Sequence, residues 1–249
     1  MSDTPIVLLH GVGLDHTMWG PFINAAAHLT ARPMVAVDLA GHGGQPPLAR
    51  QTTLAELAED ALERIPECCH LVGFSLGALI GQHVARYHPD RVASLTSVSS
   101  VCQRTASEAA AVAKRLEMGA RDFPASVEAS IERWYPQGSG VGPDLVEATR
   151  STLYANNVAS YLYAYRVFAT GDAEIGPELG KIRGPALAVT GELDPGSTPG
   201  MTRRLAAAIP GCRTAIVSGA RHMLPVQEAD ELARLVTGFI DESTGASDA

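Results

Sequence analysis

Near the N-terminus four apolar residues stand side by side, Ile6-Val7-Leu8-Leu9, with no polar residue between them. A strand open to water on one face alternates apolar and polar residues. A strand without alternation is covered on both faces, as in a parallel sheet wrapped by crossover helices. Five further short apolar runs predict strands over Met34–Asp38, His70–Phe74, Val92–Ser97, Ala186–Thr190 and Thr214–Val217. Between the second and third, Leu54, Leu57, Ala58, Ala61, Leu62 and Ile65 recur with helical period until Pro66 ends the pattern. Leu232, Leu235, Val236, Phe239 and Ile240 form a similar stripe near the C-terminus, ahead of a polar tail, 242–249, expected to fray. Strands alternating with helices imply an α/β fold.

The alternation stops from about Val101 to Lys181. Helical patterns cover Ala106–Gly119, Pro124–Tyr135, Asp144–Ala155 and Val158–Thr170, with a Gly-rich loop at Pro136–Gly142. About 80 residues of helix is far longer than an ordinary crossover. Alternation then resumes, so the stretch reads as a helical cap inserted after the fourth strand. The expected organisation is a core of residues 1–100 and 182–249 carrying a cap of residues 101–181.

Composition removes several classes of function. Lys and Arg number 19 against 27 Asp and Glu, a net charge of −8, and no basic cluster stands out. That argues against nucleic acid or an anionic membrane surface as partner. No apolar run approaches the roughly 18 residues of a membrane span. Met-Ser-Asp-Thr-Pro at the N-terminus lacks the basic region of a signal peptide, so a cytoplasmic location is expected. Cys68, Cys69, Cys102 and Cys212 fit neither a zinc spacing nor a disulfide framework and read as reduced thiols. No metal site is expected.

The chemistry concentrates in Gly73-Phe74-Ser75-Leu76-Gly77, which follows a predicted strand and opens a helical pattern. This is a strand–turn–helix nucleophile elbow. The turn is tight, so the flanking residues must be small, and the helix N-terminus aims N–H groups at the serine. A serine hydroxyl needs a base and a group that orients the base. His222 follows the last strand in Gly219-Ala220-Arg221-His222. Asp194 follows the fifth in Gly191-Glu192-Leu193-Asp194, with Glu192 and Asp172 as nearby rivals. All three candidates stand at carboxyl ends of predicted parallel strands, where open α/β sheets place their sites. His10-Gly11-Val12-Gly13 follows the first strand. The N–H groups of Val12 and Leu76 are the candidate oxyanion donors, and His10 reads as a brace for its loop.

Taken together, His10-Gly11-x-Gly13, Asp38-x-x-Gly41-His42-Gly43, Gly73-x-Ser75-x-Gly77, Gly191-x-x-Asp194 and Gly219-x-x-His222 resemble the α/β-hydrolase superfamily across nearly the whole chain. Gly13-Leu14-Asp15-His16-Thr17-Met18-Trp19, Glu132-Arg133-Trp134 and Asp194-Pro195-Gly196-Ser197-Thr198-Pro199 are similar to 3-oxoadipate enol-lactonases and related small-acid hydrolases. The resemblance implies Ser75 as nucleophile, His222 as base, Asp194 as its orienter, and Trp134 as a cap residue facing the substrate. That family commonly has two strands ahead of the one ending in His-Gly; here the resemblance implies a trimmed, mostly parallel sheet of about six strands, in the order 2-1-3-4-5-6 with Met34–Asp38 at an edge.

The implied activity is a cofactor-free serine hydrolase, cleaving an ester, lactone or related acyl bond of a small metabolite. The same triad serves amide or enamide hydrolysis, C–C bond hydrolysis and cofactor-free peroxidases, and the fold also occurs as a small-molecule receptor. Dehalogenation is disfavoured because it needs a carboxylate at the elbow. With a net charge of −8, long-range attraction cannot gather an anionic substrate, so any grip on a carboxylate must be local. Arg133, Arg150, Arg166 and Arg221 are the candidates, with Arg133 favoured as the neighbour of Trp134.

Overall fold

The six apolar runs form one six-stranded sheet of order β2-β1-β3-β4-β5-β6, seen in a computed structural model that describes residues 4–245. The strands are β1 (Ile6–Leu9), β2 (Met34–Val37), β3 (Cys69–Phe74), β4 (Val92–Val98), β5 (Ala186–Gly191) and β6 (Arg213–Val217). Every pairing is parallel, so the expected "mostly parallel" sheet is wholly parallel among the described residues. β2 is an edge strand, as its half-exposed residues require. The sheet buries two distinct apolar layers. Ile6, Leu8, Val72 and Phe74 face one way, toward Trp19, Phe22, Val236 and Phe239. Val7, Leu9 and Leu71 face the other, toward Leu54, Leu57 and Leu79. The unbroken apolar run of β1 thus serves two cores at once.

Around the sheet lie α1 (Gly20–Ala26), α2 (Leu54–Leu62), α3 (Leu76–Tyr87), α8 (Pro199–Ala208), α9 (Leu224–Gln227) and α10 (Ala229–Gly245). Thr53 starts α2 with a capping box: its hydroxyl accepts the Glu56 N–H at 3.1 Å, and the Glu56 carboxylate accepts the Thr53 N–H at 3.0 Å. The helix stops at Leu62, three residues before the expected end. There Arg64 N–H turns to the Ala61 carbonyl and tightens the last turn. Ile65 still reaches the core. Residues 242–245 of the expected polar tail continue α10. Residues 246–249, like residues 1–3 of the stretch searched for a signal peptide, lie outside the described residues. No helix among the described residues is long and apolar enough to cross a membrane.

Between β4 and β5 run α4 (Ala106–Arg121), α5 (Phe123–Trp134), α6 (Pro143–Tyr154), α7 (Val158–Ile175) and a 3-10 turn at Gly176–Lys181. α7 passes through Gly171 and Asp172, where local propensity ends it at Thr170. A Cβ on Gly171 would sit 3.3 Å from Leu79, so the missing side chain lets α7 lie on α3. Asp172 is buried against Arg104, accepting its N–H at 2.9 Å and pairing with its guanidinium. Tertiary packing outweighs the local breakers.

Candidate active site

Ser75 sits between β3 and α3 with φ 53 and ψ −109, outside the backbone wells open to most residues and costing about 1–3 kcal/mol. Strain of this kind persists only where the surroundings fix it. The Ser75 N–H donates to the Val98 carbonyl at 2.9 Å, and the Gly77 N–H donates to His10 O at 3.1 Å. A Cβ on Gly73 would strike the Gly77 backbone, and one on Gly77 would strike the carbonyl of Leu9. The two glycines therefore let β1, β3 and α3 converge on the serine.

His222 and Asp194 reach the same place from two other strand ends. His222 Nδ1 lies 2.7 Å from Asp194 Oδ2, and both side chains are buried. Asp194 Oδ1 accepts the N–H groups of Gly196 and Ser197 at 2.8 and 2.9 Å. The loops are tied together by Leu193 N–H to Ala220 O at 2.8 Å, and Ser99 Oγ donates to the His222 carbonyl at 3.1 Å. With Nδ1 engaged by the carboxylate, Nε2 is the ring nitrogen left for chemistry. The rivals are occupied elsewhere. Glu192 accepts from Ser218 Oγ and Gly219 N–H, and Asp172 belongs to Arg104.

Ser75, His222, Asp194 and Val12 line one cavity. Leu76 opens α3 with its side chain in the core, so only its backbone is available at the elbow. Neither Val12 N–H nor Leu76 N–H has a hydrogen-bond partner among the described residues. His10 joins two loops: its Nε2 accepts the Leu39 N–H at 2.9 Å and its Nδ1 faces the Gly11 carbonyl at 2.8 Å. Burial, reinforced by His42, pushes its pKa down to about 3. It is a neutral brace.

The roof of the cavity comes from α4, α5 and α7. Trp134 stacks on His222, with centroids 5.7 Å apart and planes at 25°. Phe74 packs against the same imidazole at 5.0 Å. The roof also presses on the loop after β1. Gly13 has φ +74, and a Cβ there would sit 2.7 Å from the ring of Tyr161. The Asn156 amide donates to the Gly13 carbonyl at 2.8 Å.

Residues 6–235 match the alpha/beta hydrolase family. The chain belongs to that family. Among curated relatives of this alpha/beta hydrolase, an (E)-2-((N-methylformamido)methylene)succinate hydrolase of Acinetobacter baylyi is 29% identical, over 95% of this chain and 90% of that protein. A pimeloyl-[acyl-carrier protein] methyl ester esterase of Aeromonas hydrophila is 30% identical, over 94% of each. Among solved structures, the enol-lactonase from Burkholderia xenovorans shares the fold with a TM-score of 0.85, at 24% identity over 96% of this chain and 92% of that one.

Of the four arginines singled out in this hydrolase, the structure brings only Arg133 to the cavity. Arg150 is paired with Glu128 and Glu147 on the outside. Arg166 is exposed, and Arg221 borders a separate surface cleft. Arg133 donates to Ala129 O at 3.2 Å and Ser130 Oγ at 3.0 Å. A second guanidinium, Arg115 of α4, also lines the cavity, beside Tyr161, Tyr165 and Phe168 of α7. Sequence reasoning passed over it, although the spacing Val112, Arg115, Gly119 puts it on the face of α4 whose other two residues are buried.

Proposed function

We propose that this hydrolase uses Ser75 as nucleophile, His222 as general base and Asp194 as orienter to cleave an ester, lactone or related acyl bond of a small, carboxylate-bearing metabolite. The observation that carries this reading is the shared cavity: a strained serine lines it together with an imidazole whose Nδ1 is 2.7 Å from a buried carboxylate. Asp194 keeps the Nδ1 proton in place, so Nε2 presents a lone pair. Nε2 takes the Ser75 proton as Oγ bonds to the substrate carbonyl carbon. The carbonyl oxygen becomes an oxyanion, held by the N–H groups of Val12 and Leu76 at the positive end of α3. Collapse breaks the bond to the leaving oxygen, which receives the proton from His222. Water, deprotonated by the same nitrogen, then releases the acid and restores Ser75. The cycle closes with water as the only co-reactant.

The relative named for an N-methylformamido-bearing substrate supports an amide or enamide as the second reading. Ester and enamide forms of one acid, assayed side by side, separate the two. The test of the shared mechanism is covalent. A fluorophosphonate probe labels Ser75, and Ser75→Ala abolishes labelling. That variant loses about three or more orders of magnitude in kcat toward p-nitrophenyl acetate while keeping its melting temperature. Labelling that survives in Ser75→Ala would overturn the assignment.

A further inference from the structure

The roof of the cavity carries an uncompensated charge. Arg115 and Arg133 both line it. Neither has an ion-pair partner among the described residues, whereas Arg86, Arg104, Arg150 and Arg204 each have one. Arg115 is held by a hydrogen bond from Nε to the Tyr165 hydroxyl at 3.3 Å. Arg133 is held by the two α5 acceptors described above and lies 5.8 Å over the Trp134 ring. These contacts are neutral. They fix where the guanidinium groups stand without cancelling their charge, and they leave most of the N–H donors unspent. Burial, and then the charge of Arg115, lowers the Arg133 pKa, so the two cations oppose one another.

Among the described residues, the one carboxylate lining the cavity is Asp194. Its oxygens are taken by two backbone N–H groups and by His222, and its charge balances the imidazolium that forms when His222 takes a proton. Neither roof cation therefore has an ion-pair partner among the described residues; Asp194 acts on Arg133 only from beyond ion-pair distance. Two cations held together in a mostly apolar cavity are costly unless anions arrive with the ligand. A guanidinium offers a planar fork that matches a carboxylate with two parallel hydrogen bonds.

We propose that the cavity takes a substrate with two carboxylates, one for each of Arg115 and Arg133, beside the bond presented to Ser75. The proposal rests on reading this cavity as the reaction site and narrows the substrate class from acids in general to dicarboxylates. Arg133 adjoins Trp134, which covers His222, so Arg133 holds the carboxylate nearer the reacting carbonyl. Arg115 stands on a different helix and holds the farther one. A charged group at each end fixes the long axis of a flexible chain and places its acyl bond without any shape-specific wall.

Calorimetry on Ser75→Ala tests this apart from catalysis. The ligands are succinate, glutarate and adipate, each set against its own monomethyl ester, which this variant leaves intact. At least one diacid should bind about tenfold or more tightly than its half-ester, the effect of one charge-assisted contact. Adding Arg115→Gln should weaken that diacid by about the same factor and leave the half-ester within roughly twofold. Arg133→Gln should weaken the diacid likewise; where it does not fold, Arg133→Lys, which keeps the charge and loses the fork, should retain part of the preference. Equal affinities for diacid and half-ester at all three lengths would overturn the proposal. So would an Arg115→Gln loss shared equally by both. If the preference fails while the fluorophosphonate labels wild-type Ser75, only the dicarboxylate reading falls. If the preference holds and no label appears, only the hydrolase mechanism falls.

Discussion

Replacing Asp194 by asparagine isolates what the carboxylate does, because the structure dictates which way the amide must sit. Asp194 Oδ1 accepts two backbone N–H groups, from Gly196 and Ser197. An asparagine NH2 at that position would face two donors and leave both unpaired in a buried site, at about 1–3 kcal/mol each. The carbonyl oxygen therefore takes the Oδ1 place. The NH2 takes the Oδ2 place, 2.7 Å from His222 Nδ1. It can only donate, so Nδ1 must accept, and the imidazole proton moves to Nε2, where it faces the serine. Geometry is kept and the base is lost. The expected fall in kcat is about 10⁴-fold, the cost of the same tautomer error in other serine triads. That corresponds to about 5 kcal/mol of transition-state stabilisation. Hydrolysis of p-nitrophenyl acetate measures the loss, and thermal unfolding should move little. Asp172→Asn provides the contrast. It leaves the buried Arg104 cation without its partner, which costs about 3–5 kcal/mol of stability, while turnover per folded molecule stays near wild type. Asp194→Asn retaining more than a tenth of the activity would refute the argument. A folded, inactive Asp172→Asn would move the orienting role to that residue.

Two further outcomes follow from packing and burial. Trp134→Ala removes the ring stacked on His222; an aromatic pair of about 0.5–1.5 kcal/mol predicts a roughly 2- to 12-fold lower kcat, largely rescued by Trp134→Phe, and an unchanged kcat would make Trp134 a roof residue only. Burial lowers the pKa of His10 to about 3 and of His70 to about 4, so both stay neutral in the folded chain while the unfolded chain takes up their protons below about pH 6.5. Their stability contribution is complete above that pH and declines as pH falls toward the folded values, by up to about 1.4 kcal/mol per pH unit for each histidine. Urea unfolding at pH 7.5, 6.0 and 5.0 measures this slope above the carboxylate range, and equal stability at all three would show that the imidazoles are not buried neutral.

The strands were readable because a parallel sheet covered on both faces leaves a continuous apolar mark; their order came from the resemblance to α/β-hydrolases. Ile6–Leu9 could belong to little else, and the interval between β4 and β5 stands out as far longer than an ordinary crossover. Helix ends were less legible. α7 continues through Gly171 and Asp172 because of Leu79 and Arg104, which lie far from it in sequence. The short helices α1 and α9 were not anticipated. Each has a proline in its first turn and too few residues to display a period. The elbow was legible because Gly73 and Gly77 are dictated by local backbone collisions, which a motif records directly.

The roof differs in kind. Spacing places Arg115 on the inward face of α4, but no spacing rule says whether a guanidinium there meets a carboxylate or a cavity. Arg150 has Glu147 three residues before it and Glu128 on the adjacent helix, so its charge is spent at the surface. Arg115 has a tyrosine hydroxyl and no carboxylate. That difference arises only where α4, α5 and α7 meet. The fold brings Tyr161, Tyr165 and Phe168 beside Arg115 and places no acid there. The signal of function is therefore an absence of neutralising partners in three dimensions. A chain with net charge −8 had acidic residues to spare. Leaving two roof arginines unpaired in that setting keeps their charge for a ligand, and a counter-carboxylate introduced at Phe168 would be expected to close the site to anions.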